Sequence, residues 1–257
     1  MKPAMIILFA VSILCAEDSI MAIIKKSPGC EDYPQAGAII LFERITDRYS
    51  TREKVREVHL LIKMLNDRGI DEYGDQKVEY DKSSEEVEIV EARTITPDLK
   101  VVKPLKTAIS DVSAVSVAEA PAYANRMVKV VSFPAMEKNA VIEYHFRIRG
   151  KSKSGIKFIW GSEFFQYPEP MLEKNFRLIV PDKFEIKHKI VGSEVEYHQS
   201  TANGQKIYSW VKRNSEQIIL EESMPPLEAV ATKLIYSSAH NWQETGKWFK
   251  EKFYKRF

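Results

Sequence analysis

Ile142, Tyr144, Phe146 and Ile148 alternate without a break with Glu143, His145, Arg147 and Arg149. A period of two puts the apolar set on one side of an extended chain and the charged set on the other. Helical geometry would scatter both sets, so the run belongs to a sheet with one buried face. The pattern recurs in Phe184, Ile186, His188 and Ile190, which alternate with Glu185, Lys187 and Lys189, and again in Phe176, Leu178 and Val180. Tyr197 and the run from Tyr208 to Val211 flank Asn203-Gly204, a dipeptide that favours a tight hairpin turn. Further turn residues stand at Thr96-Pro-Asp-Leu99, Phe133-Pro134 and Tyr167-Pro-Glu-Pro170. Many short strands with regular turns predict two packed sheets. The expected fold is an all-β, antiparallel two-sheet β-sandwich over residues 38–237, followed by a short C-terminal α-helix.

One segment carries two periods at once. Ser50-Thr-Arg-Glu53 has the form of a helix capping box, and Val55, Val58, Leu61, Ile62 and Leu65 recur at helical spacing. Val58, Leu60, Ile62 and Met64 equally recur at strand spacing. Strands on both sides, and a turn at Asn66-Asp-Arg-Gly69, favour a long strand.

The N-terminus has another character. Lys2 is followed by an apolar run from Ala4 to Leu14 and then by Ala16 before Glu17-Asp18. That order is the layout of a secretory signal peptide over residues 1–16, cleaved after Ala16. The run is shorter than the roughly 20 residues a membrane-spanning helix needs. An exported protein, periplasmic or extracellular, with no transmembrane helix in its mature form is the expectation. Lipid attachment at Cys15 is a secondary reading, because Leu14 is larger than the residue such a signal normally places there. Residues 17–37 read as a linker punctuated by Pro and Gly. Within it Cys30 is the one cysteine left after processing, so no internal disulfide framework is available, and an incidental thiol is favoured over a reactive one. Net charge is +2 with 29% charged residues, without the clustered basic excess of a nucleic-acid binder. The nearest approach, Arg147-Ile-Arg-Gly-Lys-Ser-Lys153, reads as a solvated strand end.

Catalytic patterns are sparse. His59, His145, His188, His198 and His240 lack metal-ligand spacing, and no HExxH, GxSxG or Gly-rich phosphate loop occurs. Glu143-Tyr-His145 and Glu196-Tyr-His198 each put Glu and His on one strand face. With no third ligand identifiable, exposed strand polarity is favoured over a metal or acid–base site. His188, on the apolar side of its strand, reads as a sheet-edge or core histidine. No cofactor or metal is expected. Phe158, Trp160, Phe164, Phe165 and Tyr167 form the best recognition candidate, although sandwich cores consume aromatics of this kind. The Gly155–Gly161 stretch suggests a bulge or strand bend.

The end of the chain, from Asn241 to Phe253, reads as an amphipathic helix capped by Asn241 and Glu244. Trp242, Trp248, Phe249 and Phe253 form its apolar stripe. Trp160, Phe164, Phe165, Trp242 and Trp248 are therefore the candidate interaction residues.

Several runs together resemble the exported protein family known as domain of unknown function 3857. They are Ile62-Lys-Met-Leu-Asn-Asp-Arg-Gly69, Glu72-Tyr-Gly-Asp75, Glu91-Ala-Arg-Thr-Ile-Thr-Pro-Asp98, Ile109-Ser-Asp-Val112, Val131-Ser-Phe-Pro134, Val141-Ile-Glu-Tyr144 and Trp160-Gly-Ser-Glu-Phe-Phe-Gln166. The resemblance runs from about Gln35 to the end. It implies an N-terminal β-sandwich that precedes a transglutaminase-like domain, with residues 238–257 as the first helix of that domain. Such a domain would use a Cys-His-Asp arrangement. No cysteine follows Cys30, so that nucleophile has no counterpart here. A non-catalytic module that scaffolds or contacts a transglutaminase-like partner is the leading expectation. A truncated fragment of a transglutaminase-like cysteine enzyme, or an independent peptide- or glycan-binding surface module, are the alternatives.

Overall fold

The computed structural model describes residues 19–114, 125–152 and 155–253. The expected signal peptide over 1–16, with Cys15 and the cleavage point at Ala16, lies outside them. Eight strands make one large sheet in the order β12-β13-β10-β1-β2-β8-β4-β5. These strands are β1 (Ala38–Tyr49), β2 (Glu53–Met64), β4 (Glu85–Ile95), β5 (Val101–Val102), β8 (Val141–Lys151), β10 (Met171–Pro181), β12 (Glu196–Ala202) and β13 (Gln205–Ser215). Two three-stranded sheets face it. One is β3-β7-β6, with β3 at Asp75–Asp81, β6 at Ile109–Ser113 and β7 at Arg126–Ser132. The other is β11-β14-β9, with β9 at Trp160–Phe164, β11 at Lys187–Val191 and β14 at Lys233–Ser237. The sandwich is as expected, with two refinements. Its second layer is split in two, and β1 runs parallel to β10 while the other paired strands are antiparallel.

Alternation explains the core. Ile45 and Tyr49 of β1, Val58 and Ile62 of β2, Ile142, Tyr144 and Phe146 of β8, and Phe176, Leu178 and Val180 of β10 all point inward. They meet Val78 and Val131 of one small sheet and Leu234 and Tyr236 of the other. Each such side chain stabilises the fold by about 1.5–3 kcal/mol when fully buried. Local turn chemistry also follows the sequence. Asn203 and Gly204 take positive φ of 52° and 69° between β12 and β13, the geometry that a two-residue hairpin requires.

The ambiguous segment is strand β2. Its capping-box residues close the β1–β2 hairpin: Ser50 N donates to Glu53 O at 2.8 Å and Glu53 N donates to Ser50 Oγ at 3.0 Å. The same serine and spacing that would cap a helix thus serve a tight turn. Conversely, Asn66-Asp-Arg-Gly69 starts a short helix, α2 (Asp67–Tyr73). Asn66 Oδ1 accepts from Gly69 N at 3.3 Å, and a Cβ on Gly69 would strike the Gly37 carbonyl.

Residues 17–37 were expected to link; the described part of them is packed. A helical segment, α1 (19–25), buries Ile20 on the outer face of the large sheet against a cluster containing Ile39, Leu41, Phe42 and Leu61. Cys30 and Tyr33 are half-buried at its edge, and Lys63 Nζ donates to Pro28 O at 2.9 Å. Sequence reading saw the Pro and Gly of this stretch but not the four apolar residues Ile20, Met21, Ile23 and Ile24 that pack onto the sheet. The chain ends in α3 (Leu227–Val230) and α4 (Trp242–Phe253).

Candidate functional site

The small sheet β11-β14-β9 and α4 carry the predicted aromatic residues, and the fold divides them. Phe165 is fully buried, with its backbone N–H donating to Thr232 O at 2.8 Å. Trp160 lies on the outer face of β9 and is 72% exposed; Phe164, four residues on along that face, is half-buried. Ile235 of β14 is opposite Ser162 and 44% exposed, which extends the apolar surface across the sheet. Gly161 is no bulge. It pairs in register with Tyr236, whose hydroxyl would lie 2.5 Å from a Cβ at that position.

Asn241 caps α4, its Oδ1 accepting from Glu244 N at 2.8 Å. The helix docks back on the sandwich through Trp248, whose ring meets Phe158 edge-on with centroids 5.7 Å apart. Trp242 at the start of α4 is 88% exposed. Ser238 N donates to Ile159 O at 2.7 Å, so the chain enters α4 directly beside the start of β9. The segment that leads into β9 is thus tied to the segment that leads into α4 by the Ser238–Ile159 hydrogen bond, and to α4 itself by the Phe158–Trp248 ring contact. On its other side β9 pairs with no strand among the described residues.

The Glu-Tyr-His tripeptides do share a strand face but take partners across the sheet. On the outer face of β2, β8 and β4, His59 Nε2 donates to Glu143 Oε1 at 2.9 Å and Arg93 Nε donates to Glu143 Oε2 at 2.6 Å. His145 Nε2 meets Glu57 Oε1 at 2.7 Å, and the His59 and His145 rings stack at 4.7 Å. Burial by itself would raise the pKa of Glu143, but hydrogen bonds from His59 and Arg93 outweigh it and hold the carboxyl below its usual range. Burial holds His145 below the ordinary histidine value, and the bond to Glu57 offsets only part of that. Every carboxylate in this array is matched by a cation or ring N–H, a structural ladder rather than a reactive group. Glu196 pairs with Arg213 at 2.9 Å on the exposed edge strand β12. His188 packs against the rings of Tyr197 and Trp210 with centroids 4.3 and 5.3 Å away.

A second charged cluster escaped the sequence reading. Between the large sheet and β9, Asp47, Lys54, Arg56, Glu163, Lys174, Glu43 and Tyr167 form one chain of contacts. Arg56 bridges Asp47 at 3.2 Å and Glu163 at 2.5 Å, and Lys174 Nζ reaches both Glu43 and Glu163. Burial alone would lower the pKa of Lys174, but Glu43, Tyr167 and Glu163 more than offset it and keep it charged. Burial raises Asp47, and Arg56 and Lys54 reverse only part of that. A signal was available: Lys174 precedes Phe176, Leu178 and Val180 at the same period of two, so it had to point inward. Among the described residues no group of three or more His, Cys, Asp or Glu side chains is placed to hold a metal.

A family model and a solved structure agree with this architecture. The family model for the Domain of Unknown Function DUF3857 matches residues 50–219. A solved structure of a "putative protease" from Parabacteroides distasonis ATCC 8503 superposes with a TM-score of 0.74 at 20% identity over 79% of this chain. The chain spans 41% of that protein's length, and at this identity the likeness speaks for the fold. An M1 zinc metallopeptidase from Deinococcus radiodurans gives a TM-score of 0.37 at 12% identity, covering 78% of this chain and 43% of its own. No curated protein matches. With two-thirds of its length under one family model, the chain belongs to the DUF3857 family.

Proposed function

We propose that this protein is a non-catalytic, exported module that holds a transglutaminase-like domain through the face formed by β9 and α4. The observation that carries this reading is the joint exposure of Trp160 and Trp242, at 72% and 88%, with α4 docked through Trp248 on Phe158 just before β9. Exposed tryptophans of this kind are typical interface anchors. The family resemblance supplies the partner's class. Packing of α1 from residue 19 onward is compatible with removal of residues 1–16, which would leave the docked helix near a new N-terminus.

Titration calorimetry with a transglutaminase-like domain, taken from a DUF3857 protein that carries one, tests the assignment. Saturable binding is expected, weakened at least about tenfold in Trp160→Ser and Trp242→Ser, since a central anchor contributes about 1.4 kcal/mol or more. Binding of equal strength in both variants would overturn the proposed face.

A further inference from the structure

A separate cavity of about 600 Å³ opens where α2 meets the chain that leaves β13, lined by Arg68, Glu72, Tyr73, Glu169, Ile219 and Leu220 among others. That volume suits a small ligand or a few side chains. Glu169 is the unusual member. It is 6% exposed, and both of its carboxylate oxygens accept from Gly37 N, at 3.2 and 3.1 Å. Its neighbouring cation, Arg68, is 3.7 Å away, has a side chain 63% exposed, and donates to Gln35 O at 2.6 Å. Burial raises the pKa of Glu169; backbone donors and Arg68 compensate only in part, and Glu72 adds to the rise. The buried carboxylate is short of positive charge.

The rim has two further properties. Ile219 and Leu220 are 58% and 63% exposed, an apolar pair beside the acidic neighbours Glu221 and Glu222. Residues 216–220 belong to no strand or helix. Ile218 N donates to Tyr167 O at 2.8 Å, while the N–H groups of Ile219 and Leu220 have no partner among the described residues. Unpaired backbone beside an apolar surface is what an incoming peptide segment can use.

We propose that this groove binds a peptide segment presenting a lysine or arginine side chain to Glu169 and an apolar side chain to Ile219 and Leu220. The acidic surplus selects a cation, and a charge-assisted hydrogen bond to the buried Glu169 carboxylate discriminates against a neutral isostere. This groove is distinct from the Trp160 face and does not depend on the identity of the partner there.

The test is an NMR titration of the ¹⁵N-labelled full chain with blocked tripeptides Leu-Lys-Leu, Leu-norleucine-Leu and Leu-Glu-Leu. The lysine peptide is expected to shift the amides of Gly37, Ile219 and Leu220 saturably, with at least about tenfold higher affinity than the norleucine peptide. Glu169→Gln keeps an acceptor for Gly37 N–H and is expected to remove that preference while leaving norleucine binding unchanged. Should that variant unfold, Glu72→Gln is expected to weaken lysine binding selectively, and Leu220→Ser to weaken both peptides. Equal affinity for lysine and norleucine, shifts confined to other regions, or no shifts with any peptide would each overturn the proposal.

Discussion

At the scale of single residues, the inner charges decide more than the visible ones. Lys174 is fully buried between Glu43 and Glu163, so Lys174→Met removes the cation and leaves two carboxylates facing each other in the core. Breaking a buried pair in this way costs about 3–5 kcal/mol. Urea unfolding of the variant is expected to show a midpoint lowered to match, with an unchanged slope. On the outer face of the large sheet, burial holds the pKa of His145 below the ordinary histidine value. A depressed histidine binds its proton more readily when unfolded, so its stabilisation is complete above the unfolded pKa of about 6.5 and is lost as pH falls below it. Glu57 and Glu143, also lowered, act in the same direction but only below the ordinary carboxylate range. Stability is therefore expected to fall as pH drops below about 6.5 through His145, and His145→Gln should flatten that slope. Flat stability just below that pH in the wild type would contradict the burial of the His145 ring. The charged side of β8 was legible in its alternation; that Glu143 is 4% exposed was not, because coverage of a face depends on strands far away in sequence.

Among elements, the segment with two possible periods and the one misread as a turn share a cause. Ser50-Thr-Arg-Glu53 and Asn66-Asp-Arg-Gly69 each offer a side-chain oxygen three residues before a backbone N–H. That geometry fits both a tight turn and the first turn of a helix. The first closes a hairpin because β1 and β2 pair along their whole length; the second opens α2 because Gly69 can approach Gly37. Asn66 also donates from Nδ2 to Ala36 O at 3.1 Å, tying α2 to the segment before β1. Asn66→Ala is expected to cost about 1 kcal/mol. Gly69→Ala should cost more, about 1–3 kcal/mol, since its Cβ displaces backbone. Paired thermal melts of the two variants check the order. The docking of α1 was illegible for a different reason: the Pro and Gly of residues 17–37 read as a linker until the sheet face that receives Ile20, Met21, Ile23 and Ile24 is known.

For the whole molecule, alternation and turns conveyed the sandwich, the N203–G204 hairpin and the inward faces of β8 and β10. They could not convey that β1 and β10 run parallel or that the second layer is split, since strand order arises from long-range pairing. The aromatic site was legible as a set of residue types and illegible as a surface. Phe165 and Trp160 are five residues apart, yet one is fully buried and the other 72% exposed, a difference set by which side of β9 each one follows. What remains outside is Trp160 on β9 and Trp242 on α4, and a transglutaminase-like domain is proposed to cover them. Hydrogen exchange of the full chain, alone and saturated with such a domain, measures this most directly. Slowed exchange confined to residues 158–164 and 241–252 is the predicted result; unchanged exchange there, with protection on β12 or the outer face of the large sheet instead, would contradict it.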